Sequence, residues 1–526
     1  MKVLVADKIA PKGVEFLREQ KGLEVIFKTG LSEDEVCQEI VDADALIIRS
    51  AVTVTRKVLT AAPKLKVIGR AGIGVDNIDV EAATEQGIVV LNTPDANATT
   101  TAELAIAHLF SLSRHLPAAD HSVRTGKWER SAFMGAEITG KTIGVIGYGT
   151  IGRIVASRCL GLKMRVLAYD PFVTREVFEA DGVEPMDIDE MMPEVDYITL
   201  HCPLIEKTRN LINAERIARM KPEARIINCA RGGLIDETAL VNALNEGHLA
   251  GAALDVYENE PPTGSPLLDQ EKIVFTPHLG ASTKEAQVAV GVEISKQIAS
   301  YLLDGEAINA LNVPFVASEE LIKIKPYQAL AMKLGQLVSA LAFEPIERLE
   351  VTLGGKASEV DPHPVAVEAL VGLLQGQLTR PVNSVNACHL AKRQGIALVE
   401  TRDEAAHDYV SLITVEGYYN GKSVKVIGTL LGERQPRLVQ IDDYEVEAVP
   451  DGVMLITLHD DKPGVIGALG DVLGKANVNI SRMHVGSSTQ SDAAIAVIGV
   501  SSPLTEEQLL MVEDISMIQR IWQVIL

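Results

Sequence analysis

Short apolar runs alternate with amphipathic stretches from the start of the chain to about residue 276. The runs span three to five residues, which is too short for a helix and typical of a strand buried on both faces. Because helical patterns separate them, we predict an α/β fold with two Rossmann-like, doubly wound parallel sheets. The predicted strands are Val3–Ala6, Ala45–Ile48, Val67–Gly69, Ile88–Leu91, Thr142–Ile146, Arg165–Tyr169, Tyr197–Leu200, Arg225–Cys229, Gly251–Asp255 and Ile273–Thr276.

Two longer helical patterns interrupt this alternation. The first runs from about residue 97 to residue 114, and Thr100 and Glu103 have the spacing of a capping box near its start. The second runs from about residue 284 to residue 303. The run Asn309–Pro314 then indicates the exit from this part of the chain.

The C-terminal part of the chain follows a different pattern. Residues 318–450 contain no glycine-rich turn and no dense group of catalytic side chains. We predict an α+β unit there and assign it no chemistry. A new unit starts after Asp451, with the apolar run Val453–Leu458, a helical pattern and a second run at Val478–Ile480.

Composition restricts the class of protein. The 526 residues predict three or four domains, and a net charge of −22 argues against nucleic acid or an anionic membrane as the main partner. No apolar run approaches the roughly 18–20 residues of a membrane span, and the first residues do not resemble a targeting peptide. The five cysteines are scattered without a Cys-x-x-Cys pair. We therefore expect a cytoplasmic protein with reduced thiols and no metal.

A glycine-rich turn follows the predicted strand Thr142–Ile146 and precedes a helical pattern. In this setting Gly147, Gly149 and Gly152 form the fingerprint of a dinucleotide site. Gly147 permits the tight turn, Gly149 lets the backbone approach a pyrophosphate, and Gly152 lets helix and strand pack closely. The N-terminus of the helix supplies N–H groups for the phosphates.

Asp170 indicates which dinucleotide is bound. It ends the next strand, 18 residues after Gly152, where a carboxylate can accept both ribose hydroxyls of the adenosine. Pro171 and Phe172 follow it, rather than an arginine. Because a carboxylate would repel a 2′-phosphate, the sequence predicts NAD rather than NADP.

Three polar residues follow predicted strands at the edge where ligands bind in open α/β sheets. They are Arg231, Glu260 and His278. A histidine can take a hydroxyl proton as a hydride leaves, a carboxylate can orient its ring, and an arginine can grip a substrate carboxylate. We therefore predict hydride transfer at the carbon of a hydroxy acid.

At these positions the sequence resembles the D-2-hydroxyacid dehydrogenase family. The likeness lies in Cys229-Ala230-Arg231-Gly232-Gly233, Glu258-Asn259-Glu260-Pro261-Pro262 and Thr276-Pro277-His278-Leu279-Gly280-Ala281. The resemblance implies an active site in a cleft between two domains. It also implies NAD contacts at a set of residues near the glycine turn and the strand ends, namely Thr150, Ile151, Cys202, Cys229, Ala230, Arg231, Asp255, His278, Gly280 and Ala281.

The resemblance also implies how the domains are arranged. Residues 1–97 and 287–315 would form a discontinuous substrate-binding domain, and residues 98–286 would form the NAD-binding domain inserted into it. Residues 318–450 resemble the intervening domain of the long members of the phosphoglycerate branch.

Within the family, three segments resemble the phosphoglycerate branch. They are Arg49-Ser50-Ala51, the run from Gly69 to Asn77, and the run from Gly126 to Arg130. The resemblance implies a phosphorylated hydroxy acid as substrate, with Arg130 reaching over from a partner subunit. The residues expected to bind the substrate are Arg49, Ser50, Arg70, Gly72, Asn77 and Arg130.

Residues 452–526 resemble an ACT domain, a ferredoxin-like βαββαβ unit that senses small ligands. Leu458-His459-Asp460-Asp461-Lys462-Pro463-Gly464-Val465 and Asn477-Val478-Asn479-Ile480 carry this likeness. It implies L-serine as an effector near His459, Asp461 and Asn479, and a homodimer or homotetramer. A purely structural role in assembly is the alternative.

Three functions remain open at this point. The first is NAD-dependent oxidation of 3-phospho-D-glycerate to 3-phosphohydroxypyruvate, the first step of L-serine biosynthesis. The second is a glyoxylate or hydroxypyruvate reductase on the same scaffold, which would not need three arginines. The third is a non-catalytic NAD-sensing protein, which would not need Arg231, Glu260 and His278 together.

Overall fold

Four β-sheets organise the chain in the computed structural model, which describes residues 1–313, 318–378, 380–405, 408–488 and 492–526. The domain boundary predicted near residue 315 lies outside the described residues. Within the described ranges, none of the helices combines the length and apolar character that a membrane crossing requires.

The first sheet is parallel and has the strand order β2-β1-β3-β4-β5. Its strands are short and wholly apolar at the centre, so helices cover both faces. The elements are β1 (Lys2–Val5), α1 (Pro11–Glu19), β2 (Glu24–Phe27), α2 (Glu33–Glu39), β3 (Ala45–Ile48), α3 (Arg56–Thr60), β4 (Val67–Arg70), α4 (Val80–Glu85) and β5 (Val89–Leu91).

The second sheet is also parallel, with the strand order β12-β11-β10-β9-β6-β7-β8. Two helices, α5 (Ala98–Arg114) and α6 (Leu116–Arg124), lead into it. The remaining elements are β6 (Thr142–Ile146), α7 (Thr150–Gly161), β7 (Arg165–Tyr169), α8 (Arg175–Ala180), β8 (Glu184–Pro185), α9 (Ile188–Met191), β9 (Tyr197–Leu200), α10 (Ala214–Arg219), β10 (Arg225–Asn228), α11 (Glu237–Asn245), β11 (Gly251–Leu254) and β12 (Ile273–Phe275).

Two helices cross between these sheets. Helix α5 starts where the first sheet ends, and its apolar face packs on the second sheet. Helix α12 (Lys284–Asp304) returns, so that Ile294 and Ile298 pack in one cluster with Val3 and Val67 of the first sheet. The chain therefore passes twice between the two sheets.

One local prediction was wrong, and strand β2 was missed. Helix α5 begins at Ala98, so Thr100 and Glu103 lie inside the helix instead of forming a capping box. Thr100 Oγ1 lies 3.3 Å from Thr283 Oγ1, and Glu103 pairs with Arg158, so both side chains serve other contacts. Strand β2 was not predicted, because its apolar run is only three residues long and this edge strand is only partly buried.

The third sheet is mixed, with the order β14-β13-β15-β16-β17-β18 and one parallel pair, β13 with β14. Two helices pack against each other and against this sheet. The elements are α13 (Ser318–Leu341), β13 (Arg348–Gly355), α14 (Pro362–Gln375), α15 (Ala387–Gln394), β14 (Ala397–Asp403), β15 (Ser411–Tyr419), β16 (Lys422–Leu431), β17 (Gln435–Ile441) and β18 (Tyr444–Ala448).

The fourth sheet is antiparallel, and its elements follow the predicted βαββαβ order of a ferredoxin-like unit. The strand order is β20-β21-β19-β22. The elements are β19 (Val453–Asp460), α16 (Val465–Lys475), β20 (Ile480–Ser487), β21 (Ala493–Val500), α17 (Glu506–Glu513) and β22 (Ile518–Ile525). The sequence therefore predicted the fold class of all four sheets correctly.

The third and fourth sheets share a hydrophobic core, which the sequence did not predict. Ile456 of β19 and Val497 of β21 belong to the same buried cluster as Leu330 and Leu334 of α13. Helices α16 and α17 cover the opposite face of the fourth sheet. Because burial of this area is what holds such units together, the fourth unit is anchored to the third within one chain.

Candidate active site

A cavity of about 500 Å³ opens between the first two sheets, at the carboxyl ends of their strands. The first sheet contributes a cationic side of the cavity, and the second contributes the predicted catalytic side chains and the cofactor side. The cavity brings together most of the residues singled out in the sequence, namely Arg49, Ser50, Arg70, Ile151, Cys202, Cys229, Ala230, Arg231, Glu260, His278, Gly280 and Ala281.

His278 and Glu260 form a hydrogen-bonded pair in this cavity. His278 Nδ1 lies 2.7 Å from Glu260 Oε2, and Glu260 Oε1 accepts a hydrogen bond from the backbone N–H of Tyr257. The hydrogen bond to Glu260 raises the pKa of His278 against the opposing effect of burial. Burial pushes the pKa of Glu260 upward, but the hydrogen bond and charge of His278 outweigh it, so this pKa is lowered. The arrangement favours an imidazole that binds a proton readily.

Arg70 supplies a buried cation. Its pKa is lowered to about 10, first by burial and then by the charges of Arg231 and Arg49. Its buried Nε has no hydrogen-bond partner among the described residues. A buried guanidinium without a paired anion is costly, so this position favours binding of an anionic group.

Arg49 is held at the rim of the cavity by its neighbours. Its guanidinium Nη1 donates to Gln287 Oε1 of α12, and its backbone N–H donates to Asp7 Oδ2 over 2.8 Å. Burial lowers the pKa of Arg49, partly offset by Asp7. Asn77 donates to the carbonyl oxygens of Arg49 and Val52, over 2.9 and 2.6 Å. Asn77 is not among the residues that line the cavity, so its amide braces the Arg49 loop.

Arg231 is paired with an acid that the sequence analysis did not single out. Its Nε donates to Asp76 Oδ2 over 3.1 Å, and its Nη1 donates to the carbonyl of Ala230 over 2.7 Å. A Cβ on Gly74 would lie only 1.9 Å from Arg231 Nη2, so a side chain there would displace the guanidinium. The glycine-rich loop after β4 therefore leaves the space that the guanidinium of Arg231 occupies.

The dinucleotide turn has the geometry that its sequence predicts. Gly147 has a φ of 94°, and a Cβ on Gly152 would lie 2.0 Å from the carbonyl oxygen of Gly147. A Cβ on Gly149 would meet nothing within 4 Å, which leaves open space beside the N-terminus of α7. This arrangement fits the pyrophosphate of a dinucleotide.

Asp170 lies at the end of β7, next to that turn. Its carboxylate accepts hydrogen bonds from the backbone N–H groups of Tyr148 and Phe172, over 2.8 and 2.9 Å. These bonds hold the carboxylate beside the open space at the N-terminus of α7. Thr150 Oγ1 donates to Asp95 Oδ1 over 3.0 Å, which links this turn to the segment that follows the first sheet.

The two cysteines on the cofactor side are not reactive thiols. Burial raises the pKa of Cys202 to about 11 and raises that of Cys229 still further. Both thiols are therefore neutral at physiological pH and act through packing.

Asp255, which is expected to contact NAD, is hydrogen-bonded within the protein. It is fully buried, and its carboxylate already accepts three hydrogen bonds, from Thr276 Oγ1 and from the backbone N–H groups of Leu279 and Gly280. It does not line the cavity. Its carboxylate holds the loop that carries His278, and its contact with NAD stays a prediction.

Gly72 and Arg130 do not line the cavity either. A Cβ on Gly72 would lie 1.8 Å from Arg70 Nη1, so Gly72 leaves room for that guanidinium. Arg130 is exposed on a short 3-10 helix, beside Trp128, which is 78% exposed, and Met134, which is 81% exposed. Within one chain, Arg130 is therefore separate from the site.

The predicted effector residues of the fourth sheet differ in accessibility. Asp461 and Asn479 are exposed, but His459 is only 2% exposed. Its Nδ1 lies 3.4 Å from Thr457 Oγ1, and burial lowers its pKa. His459 on β19 is thus buried in this chain, and its contact with an effector stays a prediction.

Sequence reasoning missed three polar residues of the site. Asp7 directly follows β1, so the rule that placed His278 at a strand end would also have found it. Asp76 lies inside a segment already noted, but nothing local indicates its pairing with Arg231. Gln287 contacts Arg49 across 238 residues of sequence, and only the fold reveals this contact.

Comparison with known proteins identifies the family. Residues 106–280 match the model of the D-isomer specific 2-hydroxyacid dehydrogenase NAD binding domain, residues 323–442 the D-3-phosphoglycerate dehydrogenase intervening domain, and residues 453–508 the ACT domain. The D-3-phosphoglycerate dehydrogenase of Synechocystis is 44% identical over 96% of this chain and 91% of that protein. The chain belongs to the D-3-phosphoglycerate dehydrogenase family.

Other relatives agree with this assignment. The D-3-phosphoglycerate dehydrogenase of Archaeoglobus fulgidus is 43% identical over 97% of both chains. A crystal structure of a glyoxylate reductase from Paecilomyes thermophila is 32% identical, with a TM-score of 0.55, and covers 59% of this chain and 98% of that one. Members of the D-3-phosphoglycerate dehydrogenase family thus match almost the whole chain, whereas the reductase matches only part of it.

Proposed function

We propose that this protein oxidises 3-phospho-D-glycerate to 3-phosphohydroxypyruvate with NAD, the first step of L-serine biosynthesis. One observation carries the proposal. Three arginines, Arg49, Arg70 and Arg231, converge on a cavity that also holds the His278–Glu260 pair. A substrate with a carboxylate and a phosphate has two anionic groups, which suit such a cationic pocket.

His278 is the proton acceptor in this reaction. Because Glu260 accepts the hydrogen bond from Nδ1–H, the neutral ring has Nε2 as its basic nitrogen. Nε2 takes the proton of the substrate hydroxyl while the carbon–hydrogen bond breaks. NAD, when bound, accepts the hydride from that carbon. Glu260 stabilises the imidazolium that forms, and this favours the forward step.

The arginines bind and orient the substrate. Arg231 lies beside His278 and binds the carboxylate next to the reacting carbon, where it replaces its contact with Asp76. Arg70 and Arg49, which the first sheet contributes to the cavity, bind the phosphate. The cleft between the two sheets provides for closure around the substrate, which excludes water from the transfer.

Replacing Glu260 by glutamine is expected to shift the pH profile of oxidation. The charge and hydrogen bond of Glu260 raise the pKa of His278, so their loss lowers it. Oxidation needs the neutral imidazole, and its rate falls as the pH drops through this pKa. The acidic limb of kcat/KM is therefore expected to move to lower pH in Glu260→Gln. A limb at an unchanged pH would contradict the pairing.

Turnover itself tests the proposed function. Absorbance of NADH is followed with 3-phospho-D-glycerate and NAD, and in reverse with 3-phosphohydroxypyruvate and NADH. We expect turnover in both directions and a strong preference for NAD over NADP, because the carboxylate of Asp170, beside the dinucleotide turn, would repel a 2′-phosphate. Activity on glyoxylate alone would favour the reductase hypothesis, and NAD binding without turnover would favour a sensor.

We also propose a homodimer in which Arg130 completes the substrate site of the partner subunit. The exposed Trp128 and Met134 beside Arg130 support this, because large exposed apolar side chains in one patch are typical of a protein interface. The cytoplasmic location likewise stays a prediction, supported by five free cysteines.

L-Serine is the proposed effector of the fourth unit, and Asp461 is the proposed contact for its ammonium group. We expect L-serine to slow turnover of the unaltered protein, and Asp461→Asn to abolish this inhibition while the uninhibited rate stays the same. Initial velocity against L-serine concentration measures the effect. Asp471→Asn is the matched control, because Asp471 is an exposed acid that pairs with Lys475, one turn away on α16. Equal inhibition of both variants would contradict the assignment.

A further inference from the structure

Two side-chain hydrogen bonds connect helix α5 to the loop that carries His278. Thr101 Oγ1 donates to the carbonyl of Gly280 over 2.8 Å. About two turns further along α5, His108 Nε2 lies 3.0 Å from Thr276 Oγ1. His108 is 2% exposed, and neither the mechanism above nor the family comparison assigns it a role.

We propose that His108 is a positioning residue for His278, which acts from α5 through Thr276 and Asp255. The inference rests on the proposed function, because it concerns the same site. His108 does not reach the substrate. Its effect is to fix the rotamer of Thr276 and, through it, the loop from residue 276 to residue 281.

The direction of the hydrogen bonds fixes the tautomer of His108. The hydroxyl of Thr276 has one proton, and it donates that proton to Asp255 Oδ1 over 2.6 Å. Its oxygen is therefore the acceptor for His108, and Nε2 of the imidazole must carry the hydrogen. Burial lowers the pKa of His108, partly offset by Asp255, so the ring is neutral at physiological pH. Each hydrogen bond is therefore donated in the same direction, from the imidazole of His108 to the hydroxyl of Thr276 and from that hydroxyl to the carboxylate of Asp255.

Asp255 connects this series of hydrogen bonds to the backbone of the loop that carries His278. Its carboxylate also accepts the backbone N–H groups of Leu279 and Gly280, over 2.7 and 2.9 Å, and its carbonyl accepts the N–H of His278 over 2.9 Å. His278 has a positive φ of 55°, a conformation that non-glycine residues adopt only where their surroundings hold them. The bonds on both sides of His278 provide that hold.

Tyr257 ties the same network to Glu260. Its hydroxyl donates to the carbonyl of Thr276 over 2.8 Å, and its backbone N–H donates to Glu260 Oε1 over 3.2 Å. The positions of both His278 and Glu260 therefore depend on hydrogen bonds that involve Thr276. Loss of the His108 hydrogen bond is expected to loosen the 2.7 Å contact between His278 and Glu260.

The charged groups around His278 determine how a weaker contact with Glu260 changes the pKa of His278. Glu260 and Asp255 raise its pKa and Arg231 lowers it, and the cavity also contains Arg49, Arg70, Asp76 and His201. The hydrogen bond to Glu260 has the largest effect. If this bond weakens, the pKa of His278 falls, and the acidic limb of oxidation moves to lower pH.

His108→Leu, which keeps the volume and removes the donor, tests the proposal. We expect kcat to fall about tenfold, comparable with the loss of outer partners of metal-bound histidines, and the acidic limb to move to lower pH. His108→Gln returns an N–H donor and is expected to restore most of kcat and the position of the limb. Unchanged kcat and limb in His108→Leu would overturn the proposal, as would a loss of kcat that His108→Gln does not rescue.

A second pair of variants covers the case in which His108→Leu does not fold. Thr276→Val removes the hydroxyl and is expected to reproduce the loss of kcat and the shift of the acidic limb. Thr276→Ser is expected to restore both.

A measurement that does not need turnover keeps this inference separate from the proposed function. The protein labelled with ¹³C at histidine Cε1 is titrated by NMR, and the His278 resonance is identified by its absence in His278→Asn. A lower pKa of His278 in His108→Leu supports the positioning role whether or not phosphoglycerate is the substrate, and an unchanged pKa overturns it.

Discussion

Replacing His278 by asparagine will lower kcat for phosphoglycerate oxidation by roughly 10²–10⁴-fold, the usual contribution of a general base. The amide cannot take the hydroxyl proton as the hydride leaves, although it fills similar space. Binding of NADH is expected to stay close to that of the unaltered protein, because the glycine turn and Asp170 lie elsewhere in the cleft. Steady-state kinetics and fluorescence titration with NADH measure the two effects.

His363→Asn provides a matched control for this variant. His363 also pairs through Nδ1 with a glutamate, Glu400 Oε1 at 2.5 Å, but it lies at the start of α14, in the third unit. Its replacement removes the same kind of histidine–glutamate hydrogen bond without altering the cavity, so turnover should not change. If His278→Asn retained the turnover of His363→Asn, His278 would not be the base.

Replacing Arg70 by alanine will reduce kcat/KM for 3-phosphohydroxypyruvate by roughly 30- to 1,000-fold, equivalent to about 2–4 kcal/mol for a buried charged contact. For unphosphorylated hydroxypyruvate we expect a change of only a few-fold, because that substrate has no phosphate for Arg70 to bind. The buried Nε of Arg70, which has no partner among the described residues, motivates this expectation. Kinetics with both substrates give the ratio directly.

Two further variants complete this test. Arg70→Lys keeps the charge but loses the fork, so its loss should lie between those of the unaltered protein and Arg70→Ala. Arg56→Ala is the control, because Arg56 is an exposed arginine that pairs with Glu85 at 2.5 Å, at the surface of the first unit. Equal losses on both substrates in Arg70→Ala would argue against a phosphate contact.

The parallel strands were the most predictable part of the fold. The central strands of the second sheet, Thr142–Ile146, Arg165–Tyr169 and Tyr197–Leu200, have the bounds that the sequence predicts. Each is a continuous apolar run bounded by polar turns, and burial on both faces leaves little freedom in where such a strand begins. Strand β2 was missed because its apolar run is short and, at the edge of the sheet, only partly buried.

The site was predictable where residues follow strands, and not where the fold brings distant residues together. Arg231 and His278 each follow a strand of the second sheet, so their convergence follows from sheet topology. The pairing of Arg231 with Asp76 depends on the closeness of two separate sheets. The same holds for the burial of His459 and for the core shared by the third and fourth sheets, since both depend on packing between units.

The ratio of kcat/KM for 3-phosphohydroxypyruvate over hydroxypyruvate tests the central claim most directly. Both substrates present the same oxo acid to His278 and Arg231, and they differ only in the phosphate that Arg49 and Arg70 are proposed to bind. If two charged contacts of roughly 1.5–3 kcal/mol each are made, the ratio should exceed about 10². A ratio near one, with turnover of both substrates, would contradict phosphate recognition and leave the buried cation of Arg70 without a function.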